Sequence, residues 1–181
     1  DRRHPRRSRP AFTPHPETDV VTGKRRILVA GLVNIETTLR IDRFPLDYQP
    51  VHYAFDAIRS SVSGVGFNVA KALARLGDAI EFLTLLGKDD AAALVATHLV
   101  DAGIDPSGAL RLMTTTPQSV IHYDGDGRRR IDVDLKAIQE TAYPLARAIA
   151  ALEGAALAVL CNINFSRPLL AEARRRGIPI A

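Results

Sequence analysis

A single cysteine, no tryptophan and no run of about 18 apolar residues set the first limits on this chain. Cys161 alone can form no internal disulfide, which excludes the stapled secreted scaffolds and suits a reducing cytoplasm. The amino-terminal residues lack the apolar centre of a secretory signal, so the expectation is a soluble, cytoplasmic chain with no membrane partner. No histidine lies near Cys161 in sequence, and its thiol is expected to pack rather than attack. His4, His15, His52, His98 and His122 show no metal-ligand spacing, so no metal is expected on this chain.

What is present is unevenly spread. Residues 1–26 hold eight Lys and Arg against three acidic residues, a net +5, whereas the whole chain carries +4. The basic character therefore belongs to the first residues. Pro5, Pro10, Pro14 and Pro16 fall there without apolar periodicity, and residues 1–25 read as a disordered basic tail. Its charge is not interleaved with stacking aromatics, so no nucleic-acid partner is expected. The remaining residues, 26–181, read as one α/β unit.

Arg26 to Ala30 is a short β-branched apolar run closed by Gly31, as expected for a strand buried on both faces. Glu81 to Leu86 and Ala155 to Cys161 read the same way. Between them the spacing predicts helices at Val69 to Leu76, Ala91 to Ala102, Pro144 to Leu152 and Pro168 to Arg176, and Ile178 begins a further strand. Strands alternating with helices imply a mostly parallel sheet covered on both faces, three layers in all. Two stretches break this rhythm. Leu39, Ile41 and Phe44 alternate with charged residues and suggest edge strands, and the stretches flanking Asp124-Gly125-Asp126-Gly127 read as a hairpin over Gln118 to Leu135.

The most informative run is Ser63-Gly64-Val65-Gly66-Phe67-Asn68, a glycine loop leading straight into a helix closed by Gly77. Glycines let backbone approach a polar ligand, and a helix start offers unpaired N–H groups. Val69, Leu73 and Leu76 give that helix one apolar face. Ligands of parallel sheets bind beyond the carboxyl ends of the strands, which singles out Asn34 and Glu36 after the first strand and Asn162 and Asn164 after the third. Amides donate and accept and a carboxylate accepts strongly, so Asn34, Glu36 and Asn68 together suit vicinal hydroxyls without needing a cation.

These residues bring a resemblance. Gly31-Leu32-Val33-Asn34-Ile35-Glu36 is similar to the opening G-x-x-N-x-D of the PfkB carbohydrate kinases, the ribokinase-like fold. Gly64-Val65-Gly66-Phe67-Asn68-Val69-Ala70 resembles their first signature, and Gly87-Lys88-Asp89 the G-x-D after the next strand. Three motifs in order make the resemblance specific. It implies sugar or nucleoside binding by Asn34, Glu36, Gly64, Gly66 and Asn68, with Asn162 and Asn164 a more distant pair. It also implies a small β lid near residues 39–63 and 118–135; separately from the resemblance, the exposed lid strands suggest a homodimer. Glu36 stands where the family usually has aspartate and Ser63 where it commonly has another glycine. The family's phosphoryl transfer uses ATP, Mg2+, a G-A-G-D helix start with its aspartate base, and an N-x-x-E, and neither string occurs here. The expectation is therefore the sugar-binding, amino-terminal portion of a kinase, with no catalytic residue and no ATP or Mg2+ held by this chain alone.

Two alternatives follow from the same residues. A dinucleotide-binding loop would need a glycine at Val69, a buried strand before Ser63 and an acidic residue closing the next strand, and none of these is present. A non-catalytic sugar- or nucleoside-binding protein of the same fold would need none of the missing strings.

Overall fold

The structure, a computed structural model, describes residues 23–181. The expected tail of residues 1–25 lies outside the described residues apart from its last three, of which Arg25 is held to Asp78 by a 3.0 Å ion pair.

The run RILVA forms β1 (Arg26–Ala30), and its last four residues are buried, as a strand with both faces covered requires. It pairs in parallel with β4 (Ala79–Gly87) on one side and β8 (Leu157–Leu160) on the other. β5 (Ala109–Met113) adds to β4, giving the order β5-β4-β1-β8 with every pairing parallel. Ile180 bridges Ala158 in parallel, so the last residues run beside β8 as expected.

Side chains on successive strand residues point to opposite faces, and the two faces build two cores. Ile27, Val29 and Phe82 pack with Phe67 and Ala70 of α1 (Val65–Arg75) and with Val95 and Leu99 of α2 (Asp90–Asp101). Leu28, Ala30, Leu83 and Leu85 pack with Leu152, beside α3 (Leu145–Ala151), and with Leu169 and Ala173 of α4 (Arg167–Arg175). Helix, sheet and helix make the three expected layers. Each fully buried side chain of this kind contributes about 2 kcal/mol of transfer free energy.

A second sheet has the order β3-β2-β6-β7, with β2 (Asn34–Arg40), β3 (Ile58–Ser63), β6 (Gln118–Tyr123) and β7 (Arg129–Asp134). β2 and β6 are parallel and the outer pairs antiparallel. The expected hairpin joins β6 to β7. Its turn is tied by buried Asp124, whose carboxylate accepts the N–H groups of Asp126 and Arg128 and the Arg128 Nε–H, and only the second Asp-Gly pair takes positive φ, at Gly127.

Three expectations on local structure change. The strand expected around Leu39 to Phe44 begins at Asn34 and ends at Arg40, and β3 and β5 are additional strands. Leu76 was expected on the buried stripe of α1, yet it is 78% exposed, because Gly66, Phe67 and Ala70 form the docked face. Ala102 is only half-buried, while Val95 and Leu99 carry the α2 stripe.

Candidate functional site

Where β1 ends, Gly31 to Val33 carry the chain across to β2, and the glycine loop presses against them. Gly64 has φ of 107°, and a Cβ there would stand 2.6 Å from the Leu32 carbonyl oxygen and 3.1 Å from Asn34 Oδ1. A Cβ on Gly66 would stand 2.6 Å from Gly31 Cα. Both glycines are therefore needed so that the start of α1 can touch the β1–β2 connection. The N–H groups of Gly66 and Phe67 donate to the Leu32 carbonyl at 3.0 and 3.2 Å. The helix start was expected to offer these donors to a ligand; instead a backbone carbonyl satisfies two of them.

Asn34 is 4% exposed. Its Nδ2 donates to Ser119 Oγ at 2.8 Å, and its Oδ1 is buried without a partner among the described residues. Glu36 follows two residues later on the same face of β2 and is half-buried, flanked in register by Ser61 of β3 and Ser119 of β6. Ser63 lies opposite Asn34, and its Oγ accepts the Nδ2–H of exposed Asn68 at 3.3 Å. Asn34, Glu36 and Asn68 thus meet in one polar patch with Ser61, Ser63 and Ser119. The patch offers amide donors and acceptors, hydroxyls and one carboxylate, with no cation among its members. The three serines were not foreseen. Ser119 becomes Asn34's partner through a parallel pairing 85 residues apart in sequence, and no local pattern encodes that.

Asn162 and Asn164 are both exposed. Asn164 is engaged elsewhere: its N–H donates to Gln139 Oε1 at 3.1 Å and its Nδ2 to the Gln139 carbonyl at 2.9 Å. It lines a cavity of about 350 Å3 with Gln139, Tyr143, Phe165 and Pro168. Another cavity, of about 490 Å3, is bordered by Leu39, Ile41, Pro45, His52 and His122. Leu39 and His122 have the opposite strand parity to Asn34 and Ser119, so this cavity lies on the other face of the second sheet. Cys161 is half-buried, and burial pushes its thiol pKa up, away from thiolate chemistry at neutral pH. Among the described residues no group of three or more His, Cys, Asp and Glu could hold a metal ion. No described helix is long and apolar enough to cross a membrane.

A parallel sheet walled by helices, flanked by a second sheet that sets Asn34 and Glu36 just beyond the carboxyl end of β1, defines an α/β protein with a polar patch at the place where parallel sheets commonly bind ligands. The chain belongs to the pfkB family of carbohydrate kinases, whose sequence pattern matches residues 24–175. A curated relative, the ATP-dependent ribose-1-phosphate kinase of Halopiger xanaduensis, is 34% identical over 105 residues, covering 56% of this chain and 34% of the relative. Among solved structures, the Arabidopsis thaliana ribokinase complexed with ribose and ATP superposes with a TM-score of 0.72 at 21% identity, covering 87% of this chain and 53% of the other. The Burkholderia thailandensis nucleoside kinase in complex with inosine gives 0.67 at 17% identity, covering 85% of this chain and 51% of the other. The fold is thus ribokinase-like, and the chain spans about half the length of these solved relatives.

Proposed function

We propose that this chain is the sugar- or nucleoside-binding portion of an ATP-dependent carbohydrate kinase, and that the apparatus for phosphoryl transfer belongs to a longer polypeptide. The observation that carries the reading is Asn34: a buried amide oxygen with no partner among the described residues, beside Gly64, on the same strand face as Glu36. An unsatisfied buried acceptor costs about 1–3 kcal/mol, a cost that a ligand hydroxyl offsets by donating to it. Glu36 accepts from a second hydroxyl and Asn68 reaches a third from the start of α1. Asn162 and Asn164 play a lesser part, Asn164 least, since Gln139 already holds it. In this reading Gly64 and Gly66 bring Asn68 close to Asn34 and make no direct contact of their own.

The second sheet is the lid, with residues 39–63 and 118–135 as its segments. Exposed Ile131 and Val133 share the Asn34 face and would cover the ligand. Exposed Ile58 and Val120 on the opposite face, with Tyr53 and Phe55 in the β2–β3 connection, favour burial against a second copy through the lid strands. This chain's own residues bind and orient the substrate. In this reading ATP and Mg2+ serve the longer enzyme.

Phosphate transfer from ATP to D-ribose, ribose-1-phosphate or inosine provides the test. It would be measured with the 181-residue chain and with a polypeptide extended to the full length of the family domain. Transfer by the extended polypeptide alone is the expected result. Equal turnover by the short chain would overturn the division of labour, and saturable binding with no transfer by either would favour a non-catalytic binding protein.

A further inference from the structure

Among the described residues the Gly87-Lys88-Asp89 motif at the end of β4 makes no hydrogen bond to the polar patch, yet its bonds lead there. The β4–β5 register shifts between Leu86 and Gly87, and a Cβ on Gly87 would stand 2.4 Å from the Thr116 nitrogen, so residues 114–117 cross directly over the end of β4. Asp89 Oδ2 accepts the Thr116 N–H at 2.7 Å, and Oδ1 accepts the Thr116 hydroxyl at 2.6 Å. That hydroxyl accepts the Gly87 N–H at 3.0 Å, and the Lys88 N–H donates to the Thr114 carbonyl at 3.2 Å. Thr116 is fully buried, with its hydroxyl serving as both donor and acceptor. One residue on, the Pro117 carbonyl accepts the Ile35 N–H at 3.0 Å, and two residues further Ser119 holds Asn34.

We infer that Asp89 and Thr116 form the pivot on which the second sheet is mounted, and that they are positioning residues for the Asn34 amide, acting through Pro117 and Ser119. The inference deepens the proposed sugar site and rests on it for the ligand; the pivot itself does not. Asp89 also caps α2 through the Ala92 N–H at 3.2 Å. A cap alone would need neither of the Thr116 bonds. Burial acts to raise the Asp89 pKa, but the hydrogen bonds from the Thr116 hydroxyl and N–H and from Ala92 outweigh it, and the net direction is down.

Asp89→Asn separates the two roles. Asparagine caps helices about as well as aspartate, but its Nδ2 cannot accept the Thr116 N–H. Hydrogen exchange of backbone amides would be followed in Asp89→Asn, in Thr116→Val and in Thr116→Ser, the last of which keeps the hydroxyl. As a control, Asp105→Ala removes a cap at Pro106–Gly108 that has no bond to the second sheet. The expected result is exchange at Ile35 and in β6 accelerated about tenfold in Asp89→Asn and Thr116→Val while β1 stays protected, near-normal exchange in Thr116→Ser, and no selective effect in Asp105→Ala. D-Ribose affinity should fall with the same two variants. If Asp89→Asn leaves Ile35 and β6 as slow as in the parent, or accelerates β1 equally, the pivot is overturned. Selective acceleration in a chain that binds no ribose keeps the pivot and overturns only the sugar reading.

Discussion

The two sheets differ in what their residues are for. In the first, β1 and β4 are sealed between helices, with Leu28, Val29 and Leu85 fully buried and every strand pairing parallel. In the second, all six residues of β7 are exposed and three of the four strands carry apolar side chains to solvent. Burial, and with it most of the folding free energy, belongs to the first sheet, although the buried Thr84 hydroxyl of β4 has no partner among the described residues; the polar patch around Asn34 belongs to the second sheet, at its junction with the first. The stable core and the proposed ligand site therefore draw on separate strands, joined at Gly31 to Asn34 and at Thr114 to Pro117.

The sharpest way to break this contrast is to truncate one large side chain in each sheet. Phe82→Ala, at a site 1% exposed, should lower unfolding free energy by about 3–5 kcal/mol in urea denaturation. Ile131→Ala, at a site 46% exposed, should change it by less than about 0.5 kcal/mol. Equal effects would mean that the second sheet shares the core's burden. The junction comes next. Gly66→Ala forces a Cβ onto the Gly31 backbone and should cost about 1–3 kcal/mol, with partial loss of α1 by circular dichroism. Gly125→Ala, in the β6–β7 turn with nothing within 4 Å, should be near neutral.

Acid should probe the same junction more gently. The Asp89 pKa is lower folded than unfolded, so its contribution is complete above the ordinary carboxylate value near about 4 and is lost as pH falls through the folded value. Below about pH 4 the parent should lose stability more steeply than Asp89→Asn, which has no carboxyl to protonate there. Parallel pH profiles for the two proteins would contradict the assignment.

How much of this was legible in the sequence follows the same division. β1 was readable to the residue, and α2, β6 and β7 to within about one, because burial on both faces or an Asp-Gly turn writes a local pattern. β2 was not, because Asn34, Glu36 and Thr38 look like loop residues until β3 and β6 lie beside them. Leu76 misled because its spacing matches the apolar stripe while the docking of α1 is decided by contact between Gly66 and Gly31. Asn34, Glu36, Gly64, Gly66 and Asn68 could be named from motif order. Ser119, Thr116 and the pivot could not, since each depends on partners 27 to 85 residues away.

The most direct measurement is a titration of the chain with D-ribose and with inosine, following the side-chain amide resonances of Asn34 and Asn68. Both amides should shift along one saturation curve, and Asn34→Ala should abolish the response at Asn68 while leaving the fold intact. Shifts confined to the cavity around Leu39 and His122, or a response at Asn68 that survives the loss of Asn34, would contradict a polyhydroxy ligand held between β2 and the start of α1.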